Sequence, residues 1–344
     1  MKKTGLAALL VLCALFASCK QEVRLYADYK EVPVIYGLLD ANADTNYIRV
    51  SRSFYAQDEE AWQIAMNPDS TNYPGKLDVR LTEFCNGDSI REIVLDTITL
   101  HNKQPGIFSS PDQKMYYTAE RLGKNAKNIR YSYRLTVALP DKTIVTSTDI
   151  VGSNGFRVKS LGVNFSEAYF NTHRPFYFYP AINAKRYDVG MSFTFLEQCT
   201  PDADSVSRTF SWHVGTWDDF YLYNHMDEGA YAFTYRPGTF YEELREFLGA
   251  DTAVPGLTRL VGDYPIELTI AAAGDELAQY IYFGSLAGNA STNGSGDFSL
   301  INGAEGVFSS RMFLRKKLRL GGETVPELVS KNWGFKFMGG DIPR

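Results

Sequence analysis

The stretch Leu77-Asp-Val-Arg-Leu-Thr-Glu-Phe84 alternates apolar with polar residues, and Asn86-Gly87 follows it before the chain runs on from Ile90 to Leu95. A period of two puts successive side chains on opposite faces of a strand, and Asn-Gly favours a two-residue hairpin turn. The pattern recurs. Val32 to Leu39 and Tyr47 to Phe54 flank a loop of turn formers from Asp40 to Asn46, and Arg130 to Leu139 and Thr143 to Thr148 flank Pro140-Asp141. Hairpins at this spacing leave no room for long helices. They predict an immunoglobulin-like or fibronectin-III-like β-sandwich over residues 31–152, ended by Gly152-Ser-Asn-Gly155. With 22 Tyr and 22 Phe the composition agrees, because aromatic side chains favour strands.

Residues 156–344 continue the β pattern as a second expected domain. Its aromatic centre is Pro175-Phe-Tyr-Phe-Tyr-Pro180, where a strand would turn Phe176 and Phe178 one way and Tyr177 and Tyr179 the other. Tyr187 to Phe195 and Ser207 to Val214 read as further strands joined by a turn at Pro201 to Asp204. Two short helices interrupt them. The first has Thr239 as N-cap, Glu242 as its capping-box partner, an apolar face of Phe240, Leu244, Phe247 and Leu248, and Gly249 as the stop. The second spans Asp275 to Ile281, and one helical turn is also expected between Asp58 and Met66. The expected class is mainly β, an N-terminal sandwich followed by a β-rich domain with one or two short helices.

The chain begins Met1-Lys2-Lys3, passes through an apolar core from Leu6 to Phe16 and reaches Ala17-Ser18-Cys19, the layout of a secretory signal. That core is far shorter than the roughly 20 residues a helix needs to cross a bilayer. Small residues directly before a cysteine resemble the bacterial lipobox. Residues 1–18 are therefore expected to be cut away, Cys19 to be acylated, and residues 19–30 to act as a tether. Acyl chains contribute about 0.8 kcal/mol per buried methylene, and more than one holds a protein firmly. The expected address is the outer membrane, with lipid as the first partner.

Removing Lys2 and Lys3 from 35 basic residues leaves 33 against 40 acidic ones, a net charge near −7. Such a balance excludes nucleic acid as an expected partner. The basic cluster from Arg311 to Arg319 reads as the solvated part of a strand pair. With Cys13 in the signal and Cys19 lipidated, Cys85 and Cys199 remain, and two buried thiols are expected rather than a bridge.

Catalytic marks are missing from the pattern. His101, His173, His213 and His225 pair with no other His or Cys at ligand spacing, so no metal site is expected. Asp40, Asn42 and Asp44 resemble the start of a calcium loop, but Thr45 stands where its glycine belongs and Ser51 where its glutamate belongs. No nucleophile elbow or phosphate-cradling glycine loop occurs, and no cofactor is expected. The expected binding surface is aromatic: Tyr177, Tyr179, Trp212, Trp217, Tyr221 and Tyr223. Such rings give large contact area at small entropy cost, which suits an outer-membrane protein partner or a glycan. The alternative is a glycan-active hydrolase using the adjacent carboxylates Asp218 and Asp219.

Several of these segments together resemble a known family. Val34-Ile-Tyr-Gly-Leu-Leu-Asp40, Tyr47-Ile-Arg-Val50, Asn67-Pro-Asp-Ser70, Pro105-Gly-Ile-Phe108 and Gly306-Val-Phe308 look like uncharacterised Bacteroidota cell-envelope lipoproteins of similar length. The resemblance implies a β-rich fold and an envelope address. It also implies a partner role, since such proteins often accompany TonB-dependent receptors. Its motifs are structural and carry no active site. Pro105-Gly-Ile-Phe-Ser-Ser110 and Glu305-Gly-Val-Phe-Ser-Ser310 echo each other and read as glycine-led entries into buried strands.

Overall fold

The computed structural model describes residues 31–338 except 55–59, 102–111, 153–155, 161–165, 173–174, 201–202, 219–224, 227–229, 234–235, 250–251, 253–254 and 290–298. Its main compact unit begins at Val32. The first eight strands are β1 (Pro33–Leu39), β2 (Asn46–Arg52), β3 (Asp78–Cys85), β4 (Asp88–Val94), β5 (Asp96–Leu100), β6 (Gln113–Thr118), β7 (Tyr131–Ala138) and β8 (Thr143–Asp149). Helices α1 (Ala61–Met66) and α2 (Pro68–Thr71) lie between β2 and β3. There follow β9 (Arg157–Ser160), β10 (Glu167–Ala168), β11 (Phe176–Tyr179), β12 (Arg186–Gln198), β13 (Val206–Asp218), β14 (His225–Met226) and β15 (Ala230–Phe233). The chain ends with α3 (Thr239–Leu248), β16 (Thr258–Val261), β17 (Ile266–Ala273), α4 (Asp275–Asn289), β18 (Glu305–Leu320), α5 (Thr324–Ser330) and β19 (Phe335–Phe337). The protein is mainly β with short helices, and among the described residues no helix is long and apolar enough to cross a membrane.

The three hairpins of the alternating pattern are present: β1 with β2, β3 with β4 and β7 with β8, all antiparallel. Asn86 and Gly87 take φ of 51° and 97°, the left-handed pair that their tight turn requires. The loop from Asp40 to Asn46 is held by turn chemistry. The Asn46 side chain accepts the Asp40 N–H at 2.7 Å, and the Asp40 carboxylate accepts the Asn42 N–H at 2.8 Å.

A four-stranded sheet, β4-β3-β7-β8, faces the β1-β2-β6-β5 portion of a larger sheet. Ile35, Ile48, Leu81, Tyr133, Leu135 and Val137 fill the space between them. The Tyr133 hydroxyl accepts the Gly123 N–H at 2.8 Å, and burial pushes this phenol well above its ordinary value.

The sandwich is not closed by its own residues. Val34 to Leu39 of β1 pair in parallel with Glu305 to Ser310 of β18, and Ile301, Ala304 and Phe308 belong to the same core. Further along β18, Arg311 to Leu318 pair antiparallel with β17, and Arg319-Leu320 pair with β10. Strand β18 thus runs through both cores on either side of the expected boundary at 152–156, and Val32–Arg344 cluster as one compact unit. Parallel pairing joins segments far apart in the chain through a long crossover, so no local pattern announces it. The large sheet runs β19-β16-β12-β17-β18-β1-β2-β6-β5, with β13 along the other side of β12. Gly306 permits the crossing. Its φ is +104°, and a Cβ there would lie 2.0 Å from the Ile35 carbonyl oxygen.

The second core is rich in aromatic side chains, set among Val, Ile, Leu, Met and Ala. A small sheet, β14-β15-β11-β9, packs onto the inner face of β12 and β13, with Phe178 5.0 Å from Tyr187 and Trp217 5.6 Å from Phe233 between ring centroids. Helix α3 covers the rest of that face, and Phe240 stacks on Phe170 at 4.2 Å. Its N-cap is Gly238 at φ 89°, not Thr239, which is the first helical residue and makes no side-chain cap. The left-handed entry at Gly238 replaces the capping box. Arg259, 1 % exposed, donates to Glu197 at 2.9 Å and to the Trp333 carbonyl, and Arg208 holds the same carboxylate from 3.0 Å. Cys85 and Cys199 are free thiols; Cys85 is half-buried, and Cys199 is exposed rather than buried.

Candidate functional site

Trp212 and His213 are neighbours on β13 and face opposite ways. Trp212 is 7 % exposed, with Phe170, Phe210 and Phe240 within 5.7, 5.0 and 5.5 Å of its ring. It belongs to the core and not to a binding surface, because strand alternation carries it inward with Phe210. Trp217 is half-buried against the same core, and its indole N–H donates to the Ala232 carbonyl at 3.1 Å. Tyr177 and Tyr179 are half-buried on β11, with the Arg157 guanidinium 4.0 Å above the Tyr179 ring. Tyr221, Tyr223, Asp219 and the Asp218 carboxylate lie outside the described residues. The aromatic stretch is thus largely interior on every side chain that can be placed.

The outer face of the same strands is a site of different composition. Register places His213, Gly190, Thr269 and Arg315 in one row across β13, β12, β17 and β18, and Ser211, Ser192, Glu267 and Lys317 in the next. A third row is Thr216, Asp188, Ala271 and Phe313. Small side chains leave the middle of these rows low. The result is a depression of about 490 Å³ lined by Asp188, Gly190, Ser192, Ser211, His213 and Thr269 among others. The register shift between Val189 and Gly190 marks a bulge at its centre, a device that re-aims side chains.

Four polar groups meet at one end of the depression. Thr216 Oγ1 donates to Asp188 Oδ1 at 2.6 Å and lies 3.2 Å from His213 Nε2, while Arg186 approaches the same carboxylate at 3.6 Å. The imidazole and carboxylate are 3.8 Å apart, with 61 % and 43 % of their side chains exposed. Chemistry that relies on preorganised charge needs water kept out, and this cluster is open to it. What the depression offers is a field of hydroxyl, carboxylate and imidazole groups suited to hydrogen-bonding a polar ligand. Among the described residues no three His, Cys, Asp or Glu side chains come together as a metal site.

Helix α4 crosses this outer face and divides it. Its N-terminus is pinned by a buried polar cluster: the Glu276 carboxylate accepts Thr148 Oγ1 at 2.8 Å and Ser309 Oγ at 2.9 Å, and Ser309 Oγ accepts the Leu277 N–H at 3.1 Å. Burial raises the Glu276 carboxyl above the usual carboxylate range, against the pull of these donors. Ser310, 0 % exposed, donates to the Asp149 carbonyl at 2.6 Å and accepts the Val151 N–H at 2.9 Å.

Beyond α4 the outer face becomes aromatic. Tyr36 and Tyr47 are exposed on β1 and β2, Tyr47 lies 6.4 Å from Tyr117, and Ile98 is exposed on the edge strand β5. The Tyr36 and Tyr280 hydroxyls are 3.2 Å apart and their rings meet edge to face at 6.2 Å. Burial, followed by the neighbouring Tyr280, pushes Tyr36 up to about 12. Residues 277–289 carry no charge, and Phe283 of α4 is exposed. These residues were not among the sequence candidates, although two signals were present. Tyr36 is out of phase with buried Ile35 and Gly37, and a helix without charge past its first turn has no obvious solvent face. No protein-family model matches the sequence and no curated protein matches it, so the geometry of the molecule carries the functional argument.

Proposed function

We propose that this chain is a lipid-anchored, non-enzymatic binding and assembly protein of the outer membrane, accessory to a TonB-dependent receptor. The observation that carries this reading is the aromatic face of exposed Tyr36, Tyr47 and Phe283 with half-buried Tyr117 and Tyr280. Cores of protein interfaces are rich in Tyr, Phe and Arg and have polar rims; here the aromatic rings are accompanied by Arg49 opposite Tyr36, with Asp96 and Glu305 at the margins. Helices that lie in lipid carry Lys or Arg on their polar side, and residues 277–289 have neither, so the partner is a protein rather than the bilayer. Cys19 supplies the anchor and the sheet supplies the contact.

A photoreactive residue at Tyr47 in intact cells tests the contact. One outer-membrane protein is expected in the adduct, and Tyr280→Asp is expected to abolish it. Adducts with lipid alone, or none, would overturn the reading. Palmitate labelling tests the anchor separately: label is expected on the wild type and absent from Cys19→Ala, and equal labelling would refute acylation at Cys19.

A further inference from the structure

We infer that the other half of the outer face, over β12, β17 and β18, is a binding site for an acidic, uronate-type polysaccharide. This goes beyond the proposed partner role, which uses the aromatic half. Strand alternation turns Arg311, Arg315, Lys317 and Arg319 outward together, with Phe313 among them. Successive outward residues of a strand are about 6.6 to 6.8 Å apart, so these cations form a continuous line. Arg311 and Arg315 flank the Phe313 ring at 5.3 and 4.8 Å, which holds both guanidinium groups in place. Arg319 is held likewise over Tyr264 at 4.9 Å.

The line has four cations against two facing carboxylates, Glu267 opposite Lys317 and Glu167 opposite Arg319. Glu267 approaches Arg315 only at 3.9 Å, and among the described residues neither Arg311 nor Lys317 has a carboxylate in ion-pairing range. A run of excess positive charge on a chain that is net acidic is a local field for an anion. Guanidinium forks match carboxylates in a bidentate manner, and here they stand one strand away from the hydroxyl-lined depression through the Arg315–Thr269 pairing. A sugar acid presents both complements at once, carboxylates to β18 and ring hydroxyls to Ser192, Ser211, Asp188 and His213. Neither a DNA strand nor poly-glutamate carries a dense array of ring hydroxyls to set against that floor.

The experiment is calorimetric titration of the full-length protein in detergent with oligogalacturonate. The fully methyl-esterified oligomer, poly-glutamate and a single-stranded oligonucleotide of equal charge are titrated alongside. Oligogalacturonate is expected to bind; the methyl-esterified oligomer should bind at least about tenfold more weakly, the loss typical of removing a charge-assisted hydrogen bond, and poly-glutamate and the oligonucleotide, which keep their charge but lack the ring hydroxyls, about threefold or more weakly. Arg315→Glu with Lys317→Glu should weaken oligogalacturonate by at least about tenfold as well. Ser211→Ala with Thr269→Ala should weaken it by about threefold or more. All these positions are exposed or half-exposed, so the melting temperatures should stay near wild type. Poly-glutamate or the oligonucleotide binding as tightly as oligogalacturonate would overturn the inference, as would wild-type affinity in either double variant. Crosslinking at Tyr47 should persist in both variants, so failure here and failure of the partner role are told apart.

Discussion

The two stretches of open sheet on either side of α4 share one backbone and differ only in what alternates outward. Over β12, β17 and β18 the outward residues include Asp188, Gly190, Ser192, Glu267 and Thr269 beside a line of Arg and Lys; over β1, β2 and β6 they include Tyr36, Tyr47 and Tyr117, with Arg49 between Tyr36 and Tyr47. Inward, both stretches are apolar, with Val189 and Phe193 on one and Ile35 and Ile48 on the other. Period-2 patterning therefore separates two tasks in one strand: the inward set decides the fold, and the outward set is free to specify recognition. Helix α4 keeps the two outward chemistries apart.

The comparison breaks altogether if the strand they share is lost. Gly306→Ala places a methyl against the Ile35 carbonyl at a φ that alanine rarely adopts, and it should destabilise the protein by more than about 4 kcal/mol in denaturant unfolding. Both sides should lose binding together. Glu197→Ala acts on one side only. It removes the carboxylate that faces the Arg259 guanidinium, 1 % exposed, at the β12–β16 end, and should cost about 3 kcal/mol or more by the same measurement.

Smaller effects sharpen the role of the divider. Glu276 binds its proton more tightly folded than unfolded, because its folded value is raised above an unfolded value of about 4.3. Its favourable contribution is full below that unfolded value and is lost as pH rises through the raised folded one. Glu276→Gln should therefore leave the melting temperature unchanged near pH 4, raise it at pH 7, and flatten the slope between. Tyr280→Phe is the mildest change, within about 0.5 kcal/mol in stability. It should let Tyr36, now near 12, titrate at lower pH in ultraviolet absorbance, although burial of the phenol keeps it above its ordinary value.

Local order was legible in the sequence where it depends on neighbours in the chain. Asn86-Gly87, the Asp40–Asn46 loop and Gly249 after α3 each act within a few residues, and each does what its chemistry dictates. The site was hidden because facing is a tertiary property. Pro175 to Pro180 and Trp212 look like a surface in one dimension, yet Phe176 and Phe178 of β11 pack inward against β12, β13 and β15, and α3 covers Trp212. The Arg311–Arg319 cluster was visible as charge, but only the pairing of β18 with β17 shows that its cations stand beside a hydroxyl-lined depression. A row drawn across four strands has no counterpart in sequence order.

The parallel contact between β1 and β18 also sets the order of assembly. A chain made from its N-terminus can form its early hairpins at once, since their partners are adjacent. Its first core, however, stays open along one edge until Glu305 to Ser310 arrive. The sandwich is thus among the first parts synthesised and among the last completed, so the polypeptide remains incompletely folded for almost its whole length. A nascent chain stopped before residue 305 would hold every early hairpin and still lack the strand that completes its first core.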